Sequence, residues 1–188
     1  MAYRLVILLS MLVLCSLRPA LAAPGDSTEV RFARTMGDEG TIAFLSAAML
    51  VPLIQKGEAG EGQALRTGDA IAASLIASEG LKLVVRSDRP DGHPGYSFPS
   101  NHATMAFAAA TVAADHDPDQ ALLWYGGASL IAWSRVRENR HRTEDVLAGA
   151  ALGYGIAKLE QQLPRGILIS PFFNPEGHGG GVDFIVNF

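Results

Sequence analysis

The sequence is short of cysteine, of contiguous positive charge and of long apolar runs, and each shortage closes off a class of protein. A single cysteine, Cys15, occurs in 188 residues and falls in a leader-like segment. The remaining chain can therefore build neither an internal disulfide nor a thiolate metal site. Lys and Arg number 15 against 19 Asp and Glu, a net charge of -4 with no basic run. That argues against a nucleic acid partner, whose phosphates must be neutralised by clustered cations. Internal repeats and low-complexity tracts are absent. Past the leader, no candidate helix offers twenty clean apolar residues of the kind that span a bilayer. The best has about 14 between Thr41 and Ile54 and contains Pro52, the second is broken by Glu79, and the fourth by Gly126-Gly127. A soluble or peripherally bound bundle is the expectation, with membrane insertion as the alternative.

The first residues have a character of their own. Arg4 precedes a nearly unbroken apolar run from Leu5 to Leu17, and Ala20-Leu21-Ala22 supplies small residues at a cleavage-type spacing. Residues 1–23 read as an export signal, since the run of about 13 is too short for a membrane anchor. Loss of Arg4 and Arg18 with the leader takes the net charge to about -6. An exported protein is expected, periplasmic and in contact with a membrane at most peripherally. Residues 24–166 then form one helical domain, of a size that suits a single core.

Five segments read as helix, over residues 38–55, 67–85, 100–114, 117–137 and 143–161, with Asp38, Thr67, Ser100, Asp117 and Thr143 at capping positions. Pro118, just inside the fourth, has its fixed backbone angle where a helix begins. Short connections favour antiparallel neighbours, so the fold class is an all-α antiparallel bundle of five to six helices. Residues 167–188 form a short extended tail: glycine crowds 177–181, and 182–188 partly alternates like a strand. His178, in that glycine stretch, reads as an ordinary exposed histidine.

The chemistry is carried by three short stretches. They are Lys82 with Arg89-Pro90, then Pro99-Ser100-Asn101-His102, then Ser134-Arg135 with His141 and Asp145. Ends of even helices and starts of odd helices share one side of an up-and-down bundle, so the three stretches meet at one rim. Arg89 and Arg135 can give bidentate forks to a tetrahedral anion, and Lys82 a movable point charge. The Ser100 hydroxyl and free amides at a helix start, including that of Asn101, add uncharged donors. Asp145 lies four residues from His141, so a helical turn brings them together. A carboxylate on one ring nitrogen fixes the tautomer and leaves the other to attack phosphorus. His102 suits a general acid that protonates the departing oxygen and later activates water. Two histidines in these roles need no metal and no cofactor.

These segments resemble the three-part signature of the type 2 phosphatidic acid phosphatases, K-x6-RP, PSGH and SR-x5-H-x3-D. The first matches at Lys82, Arg89 and Pro90, and the third at Ser134, Arg135, His141 and Asp145 with both spacings kept. The second departs once, with Asn101 where the family usually has Gly, which puts leaving-group preference in doubt more than catalysis. The resemblance implies the helical fold shared with class A acid phosphatases and vanadium haloperoxidases. It also implies a metal-independent phosphatase with a phosphohistidine at His141, acting on a phosphorylated small molecule or a lipid-linked phosphate or pyrophosphate. A vanadate-dependent haloperoxidase and a non-catalytic phosphate-binding envelope protein are the competing expectations.

Each residue also has a bland account. Lys82 favours a helix C-terminus wherever it stands, Asp145 favours a first helical turn, and His102 could be a histidine at a capped helix start. Arg137, Arg140 and Arg142 read as a solvated helix end. His93, Tyr96 and Phe98 either shape substrate entry or tie the loop down, and Trp124 and Trp133 read as core or interface residues. The case for chemistry rests on the three stretches occurring together in register.

Overall fold

A computed structural model describes residues 27–92, 94–163, 166, 169–173 and 180–184. The expected leader, His93, His178 and the end of the tail lie outside the described residues. Six α-helices occur among them: α1 (Thr28–Thr35), α2 (Thr41–Lys56), α3 (Glu61–Val85), α4 (Asn101–His116), α5 (Ala121–Arg137) and α6 (Thr143–Gln162). They form the expected all-helical bundle. In the tail, β1 (Ile169–Phe173) pairs antiparallel with β2 (Gly180–Phe184), Ile169 opposite Phe184. The strand expected at 182–188 thus begins earlier and finds its partner in the preceding extended segment.

The first two helix starts differ from expectation. Ser27 is the N-cap, its Oγ accepting from the Val30 amide at 3.3 Å. From there the chain runs through α1 into a π-helical turn, Met36–Gly40, and on into α2. Asp38 therefore caps nothing, because the helix has already begun. Thr67 likewise lies inside α3, where its hydroxyl donates back to the Gln63 carbonyl at 2.9 Å. The break between α2 and α3 is a 3-10 turn opened by Gly57, whose φ of 55° favours glycine. Joined this way, Thr28–Val85 is long and apolar enough, by length and composition, to cross a membrane. Read helix by helix, the sequence had not suggested such a stretch.

α4 is the centre of the bundle, packed against α3, α5 and α6. Its buried side chains are small: Ala103, Ala106, Ala108, Ala109 and Ala110 are wholly inaccessible. Opposite them, α6 presents Gly149 and Gly153. A methyl group on Gly149 would stand 2.7 Å from the Ser100 carbonyl, and one on Gly153 would overlap the Thr104 carbonyl. The two helices therefore touch backbone to backbone, a contact only glycine permits. Large apolar side chains are turned outward instead, among them Leu122 at 85% and Ile54 at 79% exposure. That inverts the usual globular pattern of large residues inside.

Candidate active site

One rim of the bundle carries the chemistry. α3 ends at Arg86, which adopts a left-handed conformation (φ 48°) after Lys82. The loop that follows is pinned to itself: the Ser97 amide donates to the Ser87 carbonyl at 2.9 Å, and the Phe98 amide to Ser87 Oγ at 3.0 Å. It then delivers Ser100, Asn101 and His102 to the start of α4. On the far side, α5 ends just past Arg135, whose carbonyl accepts from the amides of Arg140 and His141 at 3.1 and 3.2 Å. This tight turn brings His141 back over Arg135 before α6 begins.

Asp145 holds the two sides together. Its Oδ2 accepts from Ser97 Oγ at 2.6 Å and from the Arg142 amide at 2.9 Å, and its own carbonyl accepts from the Ser100 amide at 3.0 Å. His141 Nδ1 lies 3.7 Å from the same Oδ2, within ion-pair range and beyond a hydrogen bond. The direct carboxylate–imidazole bond expected from the four-residue spacing is replaced by a contact at longer range. The carboxylate is already engaged by the loop and by the helix cap.

Lys82, Arg89, Asn101, His102, Arg135 and His141 line one cavity of about 260 Å³. Six of the eight residues singled out in the sequence thus share a wall. Asp145 stands behind it, and Ser100 is fully buried, its Oγ without a hydrogen-bond partner among the described residues. Asp38 and Arg140 line the cavity too. Neither was expected there. Arg140 looked like a solvated helix end, yet it faces the cavity and pairs with Asp91 at 3.2 Å. Asp38 arrives from the π-helical turn and accepts from Arg135 Nη1 at 3.0 Å. Arg135 also pairs with buried Glu138, one turn on, and Gly37 packs so closely on the guanidinium that any side chain would collide with it. The i,i+3 spacing of Glu138 from Arg135 was a legible signal, whereas a π-turn leaves none that differs from ordinary helix.

The cations are accompanied by carboxylates: Lys82 by Glu79, Arg135 by Asp38 and Glu138, Arg140 by Asp91. Among the described residues Arg89 has no such partner. Burial and the surrounding cations act on the imidazoles. His102 is pulled down to about 3, by burial first and then by Arg135, with Asp38 opposing. His141 is pulled down to about 4, by burial and then Arg89, with Asp145 opposing. Both rings are therefore neutral near pH 7, each with a lone pair available. Burial also lowers Lys82, against the hydrogen bond it donates to Glu79. Among the described residues no group of three or more His, Cys, Asp or Glu is placed to hold a metal ion.

The fold and site together are a helical bundle with, at one rim, a cavity lined by lysine, arginine and two imidazoles held neutral. The sequence profile of the PAP2 superfamily matches residues 63–166, more than half of the chain. The protein belongs to that superfamily, whose first and third motifs it keeps and whose second it matches except at Asn101. A lipid A 1-phosphatase of Porphyromonas gingivalis is 40% identical over 75 residues, 38% of this chain and 17% of that protein. The chain thus spans about one sixth of that relative's length. Among solved structures, Aquifex aeolicus LpxE superimposes with a TM-score of 0.62 at 20% identity, covering 84% of this chain and 94% of the other. A transmembrane PAP2 type phosphatidylglycerolphosphate phosphatase from Bacillus subtilis gives 0.54 at 18% identity, with 84% and 83% covered. Both show a common fold.

Proposed function

We propose that the protein is a phosphoric ester hydrolase that removes phosphate from a membrane lipid by way of a phosphohistidine at His141. The observation that carries this reading is the convergence of Lys82, Arg89, Arg135 and two neutral imidazoles on one cavity. The outward-facing large apolar residues and the lipid-phosphate activities named for its relatives favour a lipid over a soluble ester. They also favour association of the exported protein with a membrane.

The geometry suggests two in-line displacements. Arg89, Arg135 and Lys82 hold the equatorial oxygens and offset the charge that develops on them. The neutral His141 ring attacks phosphorus, and the bond to the leaving oxygen breaks. His102 gives that oxygen a proton. In the empty site His102 is neutral, but a phosphate dianion bound beside it raises its proton affinity, so substrate binding charges the acid. In the second displacement His102 takes a proton from water, water attacks the phosphohistidine, and phosphate leaves. Electrostatic stabilisation comes from the guanidinium groups, so no metal is required.

The test is hydrolysis of a short-chain phosphatidic acid and of p-nitrophenyl phosphate with a chelator present, together with rapid quenching on radiolabelled lipid phosphate. An acid-labile, alkali-stable label mapping to residue 141, absent in His141→Ala, is the expected result. Loss of activity on chelation, or a label elsewhere, overturns the mechanism. Phosphate binding without turnover of any substrate would favour a non-catalytic envelope protein.

A further inference from the structure

Both polar atoms of the Asn101 side chain, which lies at the cavity wall, are bonded to α3. Its Oδ1 accepts from Ser78 Oγ at 2.6 Å and from Lys82 Nζ, and its Nδ2 donates to Glu79 Oε1. Lys82 Nζ also donates to Glu79 Oε1 at 3.2 Å. The arrangement has one consistent amide orientation, because a flipped amide would set its NH2 against the ammonium. An ammonium has three protons, so two are directed to Asn101 and Glu79 and one is left for the cavity. Lys82 itself is 4% exposed, whereas Glu79, three residues earlier on the same helix, has a side chain 53% exposed.

We propose that Asn101 is a positioning residue which, standing where the family motif has glycine, anchors the Lys82 ammonium in the cavity against the outward pull of Glu79. This rests on the reading that Lys82 binds phosphate. Without the carboxamide, the ion pair with the half-exposed Glu79 would draw the ammonium toward solvent. Asn101 is thus a compensating replacement in this chain: the carboxylate of Glu79 is tolerable near the phosphate because Asn101 occupies its acceptor oxygen. The two residues form one device and neither is a phosphate ligand through its side chain.

The experiment is a double-mutant cycle read by inorganic phosphate affinity, from competitive inhibition and from direct calorimetry, alongside KM and kcat for p-nitrophenyl phosphate. Asn101→Gly is expected to weaken phosphate binding and raise KM about tenfold, with kcat changed less. Glu79→Gln alone is expected to leave both within about twofold. Adding Glu79→Gln to Asn101→Gly is expected to recover most of the lost affinity, a reversal that loss of packing would not give. Asn101→Ala, which keeps helix propensity at the start of α4, is expected to repeat the pattern if the glycine variant folds poorly. Unchanged phosphate affinity in both Asn101 variants, or a second substitution that worsens the first, overturns the inference. A wild-type protein that neither turns over p-nitrophenyl phosphate nor binds phosphate instead refutes the functional reading on which it stands.

Discussion

The two ends of the bundle each hold an arginine paired with an acid whose side chain is buried, and they leave opposite things unfinished. At the cavity end, Arg135 pairs with Asp38 and Glu138, yet among the described residues its Nε, Ser100 Oγ and His141 Nδ1 have no hydrogen-bond partner. At the far end, about 24 Å away along α3 at 1.5 Å per residue, Arg66 pairs with Glu160 at 3.0 Å and also bonds the carbonyls of Glu160 and Leu163. There it is the acid that is left short, with Glu160 Oε2 buried and without a hydrogen-bond partner among the described residues. Burial accordingly pushes Glu160 up to about 7, with Arg66 opposing and Asp69 reinforcing. A proton can satisfy the far end. The cations that line the cavity end suit an anion. Similar pairs therefore serve as a brace where a proton completes them and as part of a site where a ligand can.

The contrast can be broken at either end, and the largest effect belongs to the cavity. His102→Ala should lower kcat for alkyl phosphates by roughly 10^2 to 10^4-fold, the usual worth of a general acid. The loss should be smaller for p-nitrophenyl phosphate, whose leaving group needs little help. Equal losses on both would remove His102 from the leaving-group role. At the far end, Arg66→Met should cost about 2–4 kcal/mol of stability at pH 8, as an unpaired buried carboxylate does. Because Glu160 can take up a proton, the cost should shrink at pH 6, while kcat at low temperature stays near wild type. Denaturant unfolding at the two pH values checks this, and a pH-independent cost would refute the role given to Glu160.

A subtler change sharpens the comparison. Gly37→Ala places a methyl group against the Arg135 guanidinium, so it should destabilise by about 1–3 kcal/mol through overpacking. If Arg135 holds phosphate as proposed, the substitution should also lower kcat/KM about tenfold by displacing that guanidinium. Preserved kcat/KM would separate Arg135 from the substrate.

The smallest effect is on pH dependence. The histidines ordinarily titrate near 6.5 and fall to about 3 and about 4 in the folded protein, so between pH 6.5 and 4 the unfolded chain binds more protons. The stability these groups contribute is present above 6.5 and is lost as pH falls. Glu160 acts in the opposite sense. Its ordinary value of 4.5 rises to about 7, so the folded state gains a proton as pH falls through that window. Calorimetric midpoints should therefore drop less steeply on acidification in His102→Gln than in wild type, and more steeply in Glu160→Gln. Parallel slopes would contradict both assignments.

Much of the cavity end was legible because its residues sit at fixed spacings around helix ends, and helix ends can be inferred from local capping chemistry. Lys82, Arg89, His102, Arg135 and His141 were all placed at the rim on that basis. Asp38 was assigned the wrong role: its acidic side chain at a helical start suits a cap, and only the upstream continuation of the helix through a π-turn turns it toward Arg135. Arg140 was misjudged because a charged run after a helix reads as solvated whichever way the turn closes. The engagement of Asn101 with Ser78, Glu79 and Lys82 joins two helices and has no signature in either. The far end was illegible for a similar reason. Arg66 and Glu160 are 94 residues apart in the chain and meet only when α3 and α6 pack.

The glycine-mediated contact between α4 and α6 also acts as a gauge. His102 and His141 sit at the starts of those two helices, so the gap between the two imidazoles is set by main chain lying on main chain. Side chains along the rim can then diversify to suit one headgroup or another while the interval between the two rings is handed on unchanged. A single methyl added at position 153 would alter that interval without touching any residue that meets the substrate.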